Sequence, residues 1–201
     1  MGGGSGLRFK VATTTDEVEQ IHRLNYRTFV EEIPQHEPNP ERRLVDRFDG
    51  QNTYLVCLRG DRLIGMMAAR ADRPFSLDAK LLDLDTHLPP GRTVCEIRLL
   101  AVEPGERRGV VFWGLARLMW DYCRERGWDL AVASCTVRQM KLYRHLGFVP
   151  FGPVVGSAEA LFQPMYLTAE AFAERVRTVE ARLTRSSTRR KRAYRPLPAT
   201  G

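Results

Sequence analysis

Val94-Cys95-Glu96-Ile97-Arg98-Leu99-Leu100-Ala101-Val102 reads as a buried strand with two charges set into it, Glu96 and Arg98. A turn follows, Glu103-Pro104-Gly105-Glu106-Arg107-Arg108-Gly109, and then a long amphipathic helix. A second apolar run, Asp129-Leu130-Ala131-Val132-Ala133-Ser134-Cys135, leads into a short helix within Arg138-Gln139-Met140-Lys141-Leu142-Tyr143-Arg144-His145-Leu146-Gly147-Phe148. Strand, turn, helix, strand predicts a right-handed crossover, with two neighbouring strands and the helix on one face. A carboxylate inside an apolar strand is costly unless it is paired or used. Glu96 therefore has two readings. It is a general base in a cleft, or it is the structural partner of Arg98, which strand alternation places on the same face.

Upstream, Leu7–Val11 alternates as a strand. Thr14-x-x-Glu17 is a capping box, and Val18, Ile21, Leu24 and Thr28 or Phe29 recur at helical spacing until Ile33-Pro34 ends the run. Residues 35–43 are polar and proline-rich and predict a loop over a site. Thr53–Arg59 and Arg62–Arg70 are apolar runs about Gly60-Asp61, a hairpin pattern. Residues 72–90 read as irregular, with a short helix near 77–82. Downstream, Ala160–Thr168 suits a final strand and residues 169–183 a helix (Phe172, Val176, Val179, Leu183).

The organisation expected is a flexible leader over residues 1–6, one domain over 7–168, a helix over 169–183 and a basic disordered tail over 184–201. In 201 residues, 43% of them hydrophobic, there is enough apolar matter for one real core. The net charge of +7 sits in the tail: from Arg182 onward there are seven cations and no acid. That tail reads as a solvated linker in preference to a nucleic-acid binder. A further module could once have followed it. Leu197-Pro198-Ala199-Thr200-Gly201 is similar to a sortase recognition motif and, with the Gly-rich start, fits a chain prepared for enzymatic ligation. Cys57, Cys95, Cys123 and Cys135 all fall in apolar runs without C-x-x-C spacing, so reduced core thiols and no metal site are expected. With no signal peptide and no run of about 20 apolar residues, the location expected is cytoplasmic and no membrane span is expected. Oligomeric state is not legible.

The order Ile97-Arg98-Leu99-Leu100-Ala101-Val102, Pro104, Arg108-Gly109, then Leu142-Tyr143 and Gly147-Phe148 resembles the GNAT superfamily of N-acyltransferases. The resemblance implies an α/β fold with a mixed, splayed central β-sheet flanked by helices. It implies donor binding by the strand end, Leu100, Ala101 and Val102, and by the turn, Arg107, Arg108, Gly109 and Val110. In the superfamily that turn reads Arg/Gln-x-x-Gly-x-Gly/Ala, and its bare N–H groups hold the pyrophosphate of coenzyme A. Here Glu106 stands at the Arg/Gln position and Val111 at the second small one. An acid repels phosphate and a branched side chain shields an N–H. The donor expected is thus an acyl-phosphopantetheine on acyl carrier protein ahead of acyl-coenzyme A, with no cofactor resident.

A narrower resemblance lies upstream. Tyr26-Arg27-Thr28-Phe29, then Asp46-Arg47-Phe48-Asp49, then a hairpin, is similar to acyl-homoserine-lactone synthases and long-chain N-acyl amino acid synthases. Phe29, Asp46, Asp49 and Glu96 fit that pattern, and Arg98 fits it one place displaced. Asn25 replaces a helix Arg, Leu44 a Glu, and Ala68 stands near the hairpin Arg. The resemblance implies an enzyme that moves an acyl group from a thioester to an amine such as an amino acid. Phe29, Asp46, Asp49 and Arg98 are the acceptor-binding candidates. Asp46 and Asp49 also read as turn formers before the hairpin. Tyr143 is read as a proton donor to the leaving sulfur, or equally as a packing residue. Trp113, Trp120, Phe112 and Met119 read as core, in a number that would also suit a long acyl chain. The alternative reading is an inactive GNAT-fold module that binds acyl groups or a partner.

Overall fold

The computed structural model describes residues 6–178 apart from Arg108, residues 158–159, and the side chains of Arg138, Ser157 and Ala160. Eight strands form one sheet: β1 (Leu7–Val11), β2 (Thr53–Arg59), β3 (Arg62–Arg70), β4 (Val94–Val102), β5 (Leu130–Thr136), β6 (Val149–Pro150), β7 (Val155–Ser157) and β8 (Ala160–Thr168). Their order is β1-β2-β3-β4-β5-β8-β6, with β7 beside β8. Among the described residues only β4 and β5 pair in parallel, the product of the crossover read from the sequence.

That parallel ladder is short. It runs from Val94 opposite Leu130 to Glu96 opposite Val132. Beyond those residues β4 continues to Val102 and β5 to Thr136 without pairing to each other. The sheet is therefore splayed, as expected. A bulge sits in the diverging half of β4. The pairing with β3 shifts between Met66 opposite Ala101 and Ala68 opposite Arg98, and Leu99 adopts φ +54°. Such a bulge bends the strand and increases its twist. A leucine held in the left-handed region costs about 1–2 kcal/mol, so its surroundings must enforce it.

Each face of the sheet carries a helix because β2 and β3 are apolar on both. Leu55, Cys57, Ile64 and Met67 pack with Val111, Leu115, Met119 and Cys123 of α2 (Val110–Glu125). Tyr54, Val56, Leu58 and Met66 pack with Ile21 and Leu24 of α1 (Thr15–Tyr26). The capping box opens α1 as expected: Glu17 N–H donates to Thr14 Oγ1 at 3.2 Å, and Glu17 Oε2 accepts from Thr14 N. A wide π-helical turn over Arg27–Glu32 follows, with Ile33 N–H donating to Thr28 O at 2.9 Å. α3 (Met140–His145) and α4 (residues 169–178) complete the helices. The rest of the expected 169–183 helix, residues 1–5 of the leader and the basic tail lie outside the described residues.

One local expectation changes. The short helix near 77–82 is absent, and a single 3-10 turn stands at Leu84–His87 instead. Asp83 at φ +53° interrupts any helical run. Phe75, Leu77, Leu81, Leu84 and Leu88 instead form an irregular cover over Leu130, Val132 and Phe151. This cover lies beside the cleft and brings two residues to it.

Candidate functional site

The diverging strands open three cavities that share walls. A polar one of about 560 Å³ reaches Glu96, Arg98, Ser134 and Thr136. A second, about 400 Å³, lies between the π-helical turn, the end of β4 and the start of α2. A narrow third, about 80 Å³, runs between the sheet and α2 and is almost wholly apolar (Ile97, Phe112, Met119, Trp120, Phe148, Phe172). Leu100, the residue after the bulge, lines all three. The junction is therefore a product of the β4 distortion.

Glu96 is fully buried at the wall of the polar cavity. Its nearest partner is not Arg98, whose Nε is 3.6 Å from Oε2. Ser76, from the irregular cover, holds it instead. The Ser76 N–H donates to both carboxylate oxygens at 3.0 Å, and the Ser76 hydroxyl donates to Oε1 in a short hydrogen bond. Arg98 makes a two-pronged pair with Asp46, Nη1 to Oδ1 at 2.7 Å and Nη2 to Oδ2 at 3.0 Å. Burial alone would raise the Asp46 carboxyl; the Arg98 guanidinium overrides it and holds it below the usual range. Asp46 also accepts from Phe48 N and Asn52 Nδ2.

The other acceptor candidates divide. Phe29 lines the polar cavity. Asp49 does not reach it; its Oδ1 accepts from Tyr54 OH at 2.6 Å and lies 2.9 Å from His22 Nε2. Arg43 Nη2 donates toward His22 Nδ1 at 3.0 Å, which makes Nε2 the protonated nitrogen facing Asp49. Asp49 thus serves a structural network behind the cleft. Asn25 is fully buried at the cavity wall with both amide atoms unpartnered among the described residues. The hairpin does deliver a cation nearby. Arg70, at the end of β3, pairs opposite Glu96, and its guanidinium lies 3.7 Å from the Phe48 ring centre, which Arg98 also faces at 4.7 Å.

On the donor side, Leu100, Ala101, Val102, Arg107 and Gly109 line the second cavity together. Val110 is not among its walls and is 64% exposed, and Arg108 lies outside the described residues. Arg107 is already occupied. It donates to both oxygens of Glu32, at 2.6 and 2.5 Å, and through Nε to Val102 O at 2.9 Å. Glu106 is turned to Arg59, whose Nη2 donates to it at 2.6 Å. Tyr143 lines both the polar and the apolar cavities, and burial pushes its phenol up to about 12, so it stays a donor at neutral pH.

Sequence reasoning missed Ser76, Lys80 and Ser134. Lys80 stands on the cavity wall with its ammonium 4.3 Å from the Phe162 ring centre, and burial lowers its pKa. The Ser134 hydroxyl is buried with no partner among the described residues. Ser134, in β5, carried a usable signal, a hydroxyl in an apolar strand. The other two sit in an irregular segment with no periodicity to read.

Residues 20–180 match the family model described as N-acyl amino acid synthase FeeM. No curated protein matches the chain. Among solved structures, one similar fold is the CoA-dependent acyl-homoserine lactone synthase BjaI with SAM and isopentyl-CoA. It has a TM-score of 0.69 and 20% identity over 87% of this chain and 90% of that one. FeeM, an N-acyl amino acid synthase from uncultured soil microbes, superposes with a TM-score of 0.65 and 18% identity, over 85% and 94% of the two chains. A protein of the GNAT family from Desulfovibrio desulfuricans follows with a TM-score of 0.57 and 15% identity, over 82% and 99%. At these identities the likeness speaks for the fold alone.

Proposed function

We propose, from the premise that the chain belongs to the FeeM family of N-acyl amino acid synthases, that it transfers an acyl group from a thioester to the amine of an amino acid. The observation that carries this reading is the junction at Leu100, where one polar and one apolar cavity meet a third that opens beside α2. A thioester arm fits the third, its acyl chain the apolar channel, and the acceptor the polar cavity. The acceptor's amine then lies near Glu96, the general base, and the departing sulfur near the Tyr143 phenol. Lys80 and Arg47 on the same wall, neither ion-paired among the described residues, offer positive charge to the acceptor's carboxylate.

For the donor, acyl carrier protein is favoured over coenzyme A. The described cation of the α2 turn, Arg107, is neutralised by Glu32, and one lost charge-assisted contact is worth about 1.5–3 kcal/mol, roughly tenfold or more in affinity. Among the described residues no helix is long and apolar enough to cross a membrane, and the reading places the reaction in the cytoplasm.

The test supplies octanoyl-acyl carrier protein or octanoyl-coenzyme A with each amino acid in turn, reading thiol release and N-acyl product by mass spectrometry. Amine-dependent release, faster from the carrier protein, is the expected result. Absence of product from every pairing would leave the inactive acyl-binding module as the reading. Faster transfer from coenzyme A would reverse the donor assignment alone.

A further inference from the structure

Glu96 is the base in the reading above, yet its carboxylate presents no free face to the cleft. The residue is 0% exposed, whereas Ser76 is 8% exposed and lines the same polar cavity. Ser76 meets both: the residue lines the cavity, its hydroxyl donates its proton to Glu96 Oε1, and its backbone N–H braces both oxygens. A hydroxyl that donates to a carboxylate keeps its lone pairs for a donor on its other side. An incoming ammonium is such a donor.

Resting on the acyl-transfer reading, we infer that Ser76 is a proton relay, passing the acceptor's proton from the cleft to the buried Glu96. As the ammonium N–H proton moves to Ser76 Oγ, the proton of that hydroxyl moves to Glu96 Oε1, and the nitrogen lone pair is freed to attack the thioester carbonyl. Ser76 ends the step neutral and Glu96 protonated. Collapse of the adduct breaks the carbon–sulfur bond; the Tyr143 phenol protonates the departing sulfur and regains its proton from one of the two on the nitrogen, the other staying on the amide. Glu96 then returns its proton through the same hydroxyl to solvent. The arrangement lets a carboxylate work while shielded from water, since only a hydroxyl has to face the substrate. Arg98, with Nε 3.6 Å from Oε2, sets a positive charge beside that carboxylate. The backbone N–H contacts fix its orientation.

The test compares Ser76→Ala, Ser76→Thr and the wild-type chain, using the best octanoyl thioester and amino acid from the screen above. Melting temperatures establish that each variant is folded. In Ser76→Ala the turnover should fall by about 10²-fold near neutral pH. The deficit should shrink steadily as the pH rises and the acceptor's amine deprotonates without help. Ser76→Thr, which keeps a hydroxyl, should recover most of the rate. Because the two groups act in series, Ser76→Ala combined with Glu96→Gln should be no slower than Glu96→Gln alone. A deficit of the same size at every pH, losses that multiply in the double variant, or an unimpaired Ser76→Ala would each overturn the relay. They would leave the acyltransferase reading standing. A wild-type chain that forms no N-acyl product would bring down that reading and the relay with it.

Discussion

At the scale of the residue, Glu96 and Asp46 show how similar carboxylates come to different work. Asp46 accepts on Oδ1 from Arg98, Asn52 and the Phe48 N–H and on Oδ2 from Arg98, so a charged guanidinium spans both of its oxygens. Glu96 is held by a neutral serine and by a longer contact with Arg98, the arrangement on which the proposed proton exchange rests. Glu96→Gln keeps an acceptor oxygen for Ser76 and removes the base. The expected outcome is a loss of about 10²–10⁴-fold in turnover with the melting temperature nearly unchanged. A drop in stability with activity falling only in step would make Glu96 an anchor for the Ser76 segment and nothing more.

At the scale of the element, two details can be tested directly. Glu17 closes the start of α1, accepting from Thr13 N at 2.8 Å and from Lys10 Nζ at 2.7 Å. Burial would raise its carboxyl, but Lys10 and the two backbone N–H groups overcome that and hold it down at about 2. A depressed folded pKa means stability that is complete above the unfolded value of 4.5 and drains away as the pH falls toward about 2. Glu17→Gln should therefore cost about 1 kcal/mol at pH 7, and denaturant titrations should converge with the wild type in strong acid. Gly114 is the second case. A Cβ there would meet the Phe9 ring at 2.1 Å, so β1 and α2 approach only because that side chain is missing. Gly114→Ala should lower stability by about 1–3 kcal/mol despite alanine's better helix propensity, as the melting temperature would register.

The element scale also explains what could be read beforehand. β4, the hairpin β2–β3 and the capping box follow from neighbours in sequence: alternation, a tight turn, a side chain three residues on. The splay was legible because a crossover forces β4 and β5 together at one end, and Glu96 marked a wall of the polar cavity. Ser76 was not legible. It lies twenty residues from Glu96 and reaches it through turns with no hydrophobic period. Asp49 looked like a site residue because its true partners, His22 and Tyr54, come from α1 and β2. The Leu99 bulge breaks the alternation that strand reading relies on.

At the scale of the whole molecule, the cleft is assembled from segments that have little else in common. The π-helical turn contributes Glu32, the segment before β2 contributes Asp46, the irregular cover contributes Ser76 and Lys80, the crossover contributes Glu96, and α3 contributes Tyr143. Arg107 to Glu32 and Arg98 to Asp46 are ion pairs that tie distant parts of the chain across it. Arg107 with Glu32 is exposed and adds only about 0–1 kcal/mol to stability, whereas Arg98 with Asp46 is largely buried.

The chain has three tryptophans, Trp113, Trp120 and Trp128, and every one of them lines a cavity of the cleft. The protein thus carries its own optical gauge, with no indole elsewhere to dilute the signal. Trp113 stands in the cavity assigned to the thioester arm, and Trp120 and Trp128 in the apolar channel. Titrating octanoyl-pantetheine should shift the emission maximum to the blue as apolar chain replaces water around the indoles. Trp113→Phe should leave that shift largely in place, whereas Trp120→Phe should remove much of it. An emission spectrum that ignores the thioester, or one that responds only through Trp113, would show that the chain does not enter the channel beneath α2.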